Sequence, residues 1–160
     1  MFGLEGIPGL YIHSLLGTKN DYDKVTHTGQ NRSINRHRWQ LDTLEHALSD
    51  SSSQHYRVFH GIRHLLHIRK QQKAFHPNAT QFTLQLGDKV FGFWRQSLDR
   101  QQSIFCISNI TTQPIEIPLS NINLIGTDTW KDLISGDMIE QHQVNIQLMP
   151  YQTVWISNVC

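Results

Sequence analysis

At 160 residues the chain is long enough for one domain, or for part of one domain plus a small second unit. A formal net charge of +1 with 17% charged residues excludes the basic footprint of a nucleic-acid binder and the composition of a disordered chain, while 38% hydrophobic residues suffice for a core. The charge is uneven: residues 1–80 carry ten Lys/Arg against six Asp/Glu, residues 81–160 four against seven, which points to two units of different origin.

In chain order, Met1 to Pro8 has no basic n-region and places Glu5 inside its apolar run, so it does not read as a signal peptide. No segment approaches a membrane-spanning length. Cys106 falls in an expected strand and Cys160 ends the chain. Two reduced thiols in a soluble cytoplasmic protein is the expectation, with no membrane partner.

Gly6 to Ser14, short, apolar and punctuated by Gly and Pro, reads as a buried parallel strand. Such a strand needs neighbours reached through helical crossovers, and six leading residues cannot supply one. Residues 17–23 carry turn chemistry. Thr28 to His37 then packs guanidinium and amide groups into a loop, the kind of segment that carries binding chemistry on a rigid scaffold. Trp39, Leu41, Leu44, Ala47 and Leu48 support a small helix near Leu41–Leu48. Ser51-Ser52-Ser53 offers N-cap hydroxyls for a helix from about Gln54 to Phe75, with Val58, Phe59, Ile62, Leu65 and Leu66 in one stripe. His76-Pro77-Asn78 ends it.

From Gln81 onward the hydrophobic period changes to two. Strands are expected at Phe82–Leu86, Val90–Arg95, Ser103–Ser108, Pro114–Leu119, Trp130–Leu133, Val144–Leu148 and Thr153–Ile156. Turns fall at Gly87-Asp88, Asp99-Arg100-Gln101, Ser135-Gly136-Asp137 and Pro150-Tyr151. The pattern is that of an antiparallel β-sandwich over residues 77–160, after a strand, loop and helix unit over residues 1–76.

Gly6-Ile7-Pro8-Gly9-Leu10-Tyr11, Gly17-Thr18-Lys19-Asn20-Asp21, Arg32-Ser33-Ile34-Asn35-Arg36-His37, Leu65-Leu66-His67-Ile68-Arg69 and Ala74-Phe75-His76-Pro77-Asn78-Ala79 follow one another in that order. Together they resemble the C-terminal part of the sucrose phosphorylase group (sucrose, sucrose 6-phosphate and glucosylglycerate phosphorylases) of the α-amylase superfamily of glycoside hydrolases. Asp132-Leu133-Ile134-Ser135-Gly136 and Leu148-Met149-Pro150-Tyr151-Gln152 are similar to parts of that group's C-terminal β domain. The resemblance implies the last βα unit of a (β/α)8 barrel followed by a β-sandwich. The nucleophilic aspartate, the glutamate acid/base and the third aspartate would lie on earlier strands, so no catalytic residue is expected in this chain. Arg32 matches the arginine that contacts the glucosyl ring in the donor subsite. Ser33 stands where some members have an acid, and Gln30-Asn31 where some have a glycine. The activity implied for the parent is retaining glucosyl transfer from an α-glucoside to phosphate, with phosphate as co-substrate and no cofactor.

Each candidate has a plainer reading. Without the resemblance, Arg32 is a solvated loop arginine. His60, His64 and His67 share a helical face at i, i+4 and i+7, but no acid or cysteine joins them at ligand spacing, so a solvated face is expected and no metal. Arg32, Arg36, Arg38 and Trp39 make a basic patch with an aromatic, yet the low net charge argues against nucleic acid. Phe91, Phe93, Trp94, Trp130 and Trp155 sit at strand spacing, which favours core packing over a carbohydrate platform. Two functional readings follow: an enzyme segment inactive without a barrel segment, or a stand-alone, non-catalytic β-sandwich that binds sugars.

Overall fold

The computed structural model describes residues 1–122, 129–140 and 143–158, so Cys160 lies outside the described residues. Two compact units emerge, Pro8–His67 and the combination of Met1–Ile7 with Ile68–Cys160.

The Pro8–His67 unit is helical. Helix α1 spans Ile12–Leu15, α2 Tyr22–Thr28, α3 Leu41–Ser49, and α4 starts at Gln54 and runs to Gln71; a 3-10 turn at Asn31–Asn35 precedes α3. Local chemistry sets most of these ends. Asp21 caps α2 by accepting from the Lys24 N–H at 2.9 Å. Gly29 closes the helix with φ 63°, a left-handed turn in which its N–H donates to the Val25 carbonyl at 2.8 Å. Ser53 Oγ accepts from the Tyr56 N–H at 2.9 Å, so the serine run before α4 acts as an N-cap as expected. The stripe Val58, Phe59, Ile62, Leu65, Leu66 is half-buried along α4.

The strand expected over Gly6–Ser14 is absent. Residues 7–11 join no ladder, Ile7 is 85% exposed, and the chain turns into α1 after an extended Tyr11. A parallel strand needs hydrogen-bonded neighbours, and among the described residues no strand precedes Thr80. Pro8 also lacks an N–H. The Tyr11 carbonyl instead accepts from Ser14 and Leu15, both at 3.0 Å, which starts the helical turn.

Helix α4 ends earlier than the expected Phe75. Gln72 leaves the helix with ψ 118°, and a 3-10 turn follows at Lys73–Phe75. The cause is tertiary: the Ala74 N–H donates to Gln102 Oε1 at 2.9 Å, and Ala74 and Phe75 become buried at 0% and 3% exposure.

The other unit is antiparallel sheet. Its strands are β1 (Thr80–Leu84), β2 (Val90–Gln96), β3 (Ser103–Asn109), β4 (Ile115–Pro118), β5 (Trp130–Asp132), β6 (Met138–Ile139), β7 (Asn145–Leu148) and β8 (Thr153–Asn158). They form a six-stranded sheet ordered β1-β2-β3-β8-β5-β6 and a two-stranded sheet β4-β7. All seven expected strands are present in shortened or extended form, and β6 is additional. Between the sheets, Phe105, Ile107, Ile117, Leu119, Ile122, Trp130, Ile146, Leu148, Val154 and Ile156 make one buried cluster. The alternating residues of the large sheet serve its other face. There Phe93, Cys106 and Trp155 are buried, and Phe75 packs edge-on against Trp155 with ring centroids 4.8 Å apart.

That second face is closed by residues 1–7 through two buried arginines. Arg95, fully buried on β2, donates to the carbonyls of Gly3 (3.0 Å), His76 (2.8 Å) and Ala79 (3.2 Å). Arg69 donates to Phe2, to Leu4 (3.4 Å) and to Gly6 (2.8 Å), and its guanidinium lies 5.5 Å from the Phe75 ring centroid. Burial lowers the pKa of both below the ordinary arginine value. Close approach makes Gly3 necessary: a Cβ there would meet Cys106 Sγ at 2.9 Å and the Phe93 ring at 3.0 Å.

Candidate functional site

The loop Thr28–His37 is tied down by hydrogen bonds within it and from Tyr11, Asp21 and Lys24. Ser33, buried, accepts from Thr28 Oγ1 at 3.0 Å, and the Ile34 carbonyl accepts from the Asp21 N–H at 2.7 Å. The Lys24 ammonium donates to the Arg36 carbonyl, and Tyr11 Oη donates to that of Asn35 at 2.9 Å. These bonds tie the 3-10 turn to α2 and to the extended segment before α1. Arg32 rides on that turn, exposed. Its Nε donates to Gln30 Oε1 at 3.2 Å, which ties the exposed side chain to the loop.

Beside the loop lies a cleft of about 380 Å³ lined by residues 19–23 together with His37, Trp39 and His55. Sequence reasoning missed this cluster, because residues 17–23 show only turn chemistry. Asp21 is its hinge. One carboxylate oxygen caps α2 and the other sits 3.3 Å from His37 Nδ1. The Lys24 backbone N–H, and after it His37, hold the Asp21 carboxyl below the usual carboxylate range. Trp39 stands edge-on between His37 (centroids 4.9 Å) and His55 (5.0 Å) and donates from Nε1 to Thr18 Oγ1 at 2.9 Å. His55 Nδ1 lies 2.8 Å from the Leu16 carbonyl oxygen. The arrangement is polar and aromatic. Arg32 is not among the residues lining this cleft.

The other candidates are dispersed. Arg36 and Arg38 are exposed. The His60 ring lies tilted against Tyr56 with centroids 4.0 Å apart, and His64 and His67 are exposed; among the described residues no three His, Cys, Asp or Glu side chains group to hold a metal. Phe93, Trp130 and Trp155 are buried at 6%, 5% and 4% exposure, so core packing prevails there, while Phe91 is 48% exposed. Trp94 is half-buried and stacks on Phe82 at 4.8 Å. No helix among the described residues is long and apolar enough to cross a membrane.

Comparison with known proteins adds the family context. No family model matches the chain. It is 32% identical over 166 residues to the glucosylglycerate phosphorylase of Spirochaeta thermophila, covering 98% of this chain and 28% of that protein. It is 35% identical over 156 residues to that of Allomeiothermus silvanus, covering 98% and 25%. The chain thus spans about a quarter of the length of the curated relatives it matches. Among solved structures, an Anoxybacillus α-amylase superposes with a TM-score of 0.55 at 14% identity, over 68% of this chain and 24% of that one. The Bacillus licheniformis trehalose-6-phosphate hydrolase gives 0.53 at 21%, over 71% and 20%. These structural likenesses establish an α-amylase-type fold.

Proposed function

We propose that this chain, a sequence relative of the sucrose phosphorylase group of the α-amylase superfamily, forms the C-terminal part of a retaining glucosyl-transferring phosphorylase. The observation that carries the reading is the match of 98% of the chain to glucosylglycerate phosphorylases. The names of those relatives make glucosylglycerate the first substrate to test. A carboxylate in the rest of such an enzyme attacks the anomeric carbon while a carboxylic acid gives its proton to the departing glycerate oxygen. A phosphate oxygen then attacks the glucosyl ester, its proton passes to the second carboxylate, and glucose 1-phosphate leaves. Retention requires the two carboxyl groups only about 5–5.5 Å apart. In this reading no residue of the present chain performs these steps, and a barrel segment must supply them in a cytoplasmic setting.

Arg32 would contribute at the donor subsite. A guanidinium fork can hold two adjacent sugar hydroxyls and stays charged beside anionic carboxylates. Its exposed side chain, tied to the loop through Gln30, supports this. A sugar platform on the sandwich would instead have to draw on Phe82, Phe91 and Tyr151, at 45%, 48% and 67% exposure, although Phe82 and Phe91 lie on opposite faces of the large sheet.

The test is a pair of proteins. Residues 1–160 alone should release no glucose 1-phosphate from glucosylglycerate and phosphate. Placed in the Spirochaeta thermophila enzyme in exchange for its matching segment, they should support phosphorolysis, and Arg32→Ala in that chimera should lower kcat/KM by about 100-fold. Product release by the lone chain, or a fully active Arg32→Ala chimera, would refute the assignment.

A further inference from the structure

On the sheet face turned away from the sandwich core, the ends of β3, β5 and β8 and the turn after α4 enclose a recess of about 380 Å³. That volume is at the small end of the range ligand pockets occupy. Its frame is a set of side chains that hold one another. Gln102 Nε2 donates to Gln72 Oε1 at 2.7 Å and to Ser157 Oγ at 3.3 Å, while its Oε1 accepts from the Ala74 N–H. Asn158 Oδ1 accepts from the Ser103 N–H at 2.7 Å. The Gln72 amide nitrogen gives one hydrogen to Ile68 O at 3.2 Å, and that of Asn158 gives one to Gln101 O at 2.9 Å. Each amide therefore keeps a second N–H to offer.

The charge of the recess is one-sided. Lys131, the cross-strand partner of Ser157, lines it, and among the described residues its ammonium enters no ion pair. Lys73 lines it as well, paired at 3.0 Å with Asp99, and no carboxylate side chain contributes to the wall. Aromatic rings are absent too, so a neutral sugar would find no stacking surface. What the walls offer is cation and amide N–H.

We propose that this recess binds a small hydroxylated oxyanion, a sugar or polyol bearing a phosphate or carboxylate group. Lys131 is the charge partner, and the second N–H groups of Gln72 and Asn158 donate to the ligand's oxygens. The site shares no residue with the Arg32 loop and does not depend on the catalytic reading.

Titration of ¹⁵N-labelled residues 1–160 with inorganic phosphate, glucose 1-phosphate, glycerate and glucose tests it. Expected are saturable shifts at the Gln72 and Asn158 side-chain amides and at the Lys131 backbone with at least one anion, and none with glucose. A response to the phosphate probes alone or to glycerate alone supports the site and identifies the anion. Lys131→Met should raise the Kd about tenfold with an unchanged melting temperature, and Lys131→Arg should retain binding. No saturable shift at millimolar anion, an equal response to glucose, or a Kd insensitive to Lys131→Met overturns the proposal. If Lys131→Met proves unstable, Lys131→Gln takes its place under the same criteria.

Discussion

Arg95→Met is the substitution with the most to teach, because it removes a charge that has no carboxylate partner. Arg95 is fully buried and spans three carbonyls, those of Gly3, His76 and Ala79. Two opposed effects decide the outcome. Methionine relieves the cost of holding a guanidinium out of water, and replacing buried charge with apolar volume is often neutral or better. It also orphans the acceptors. His76 is exposed and water can replace the arginine there, but Gly3 and Ala79 are buried. Two unsatisfied buried carbonyls cost about 1–3 kcal/mol each, and allowing for the relieved desolvation leaves a net loss of roughly 2–4 kcal/mol. Arg69→Met sets the scale. Its acceptors Phe2, Leu4 and Gly6 are half-buried and can recruit water, so its cost should be about 1–2 kcal/mol. Urea unfolding followed by tryptophan fluorescence gives both values, since Trp155 and Trp130 are buried in this unit. An Arg95→Met protein within about 0.5 kcal/mol of the parent, or one less affected than Arg69→Met, would refute the reasoning.

Further expectations can be checked on the same protein. Ser97, Gln101 and Lys73 bring the Asp99 pKa down from 3.8 to about 2. A lowered folded-state value stabilises the protein above pH 3.8 and the benefit fades as pH falls towards 2; Asp99→Asn should remove that part of the acid sensitivity, and an unchanged acid unfolding curve would count against it. Burial pushes the Cys106 thiol far up, so peptide-level mass spectrometry should find Cys106 unlabelled by iodoacetamide at neutral pH until denaturant is added. Hydrogen exchange should protect the strands between residues 81 and 157 far better than residues 1–50; equal protection would contradict the proposed role. Gly3→Ala should destabilise the sheet unit, because its methyl group meets Cys106 Sγ and the Phe93 ring; an unchanged urea midpoint would contradict that close approach.

What the sequence disclosed follows the range of the forces involved. Strands with period-two alternation and Gly, Asp or Pro turns were legible, because pattern and turn chemistry agree locally. The two residues of β6 were too few to show a period. Gly6–Ser14 misled because a Gly- and Pro-punctuated apolar run has the composition of a parallel strand whether or not it finds neighbours. The end of α4 was decided by Gln102, about thirty positions away, and no local signal carries that. Arg95 was read only as the last residue of a strand; nothing nearby announces that it is buried. Arg32 stood out through family resemblance, whereas the Asp21, His37, Trp39 and His55 cluster needed three dimensions to assemble.

The two units differ in a way that bears on function. The sheet unit buries apolar residues on both faces of its large sheet, with ten in the sandwich cluster alone. In the unit Pro8–His67 only Leu16 and Ser33 are buried, while Tyr11, Ile12, Tyr22 and Leu41 are each about half exposed or more. Some sixty residues with so little interior cannot offset their own ordering entropy. Barrel βα units escape this limit, because each packs its strand and helix against the next and the core belongs to the whole ring. A segment that supplies a binding arginine to such a ring would bear the marks seen here: locally capped helices, a loop tied down by Ser33 and Lys24, and apolar stripes left half-covered. Under the proposed function, Arg32, whose Nε already donates to Gln30 Oε1, would serve a surface supplied by residues elsewhere in the enzyme.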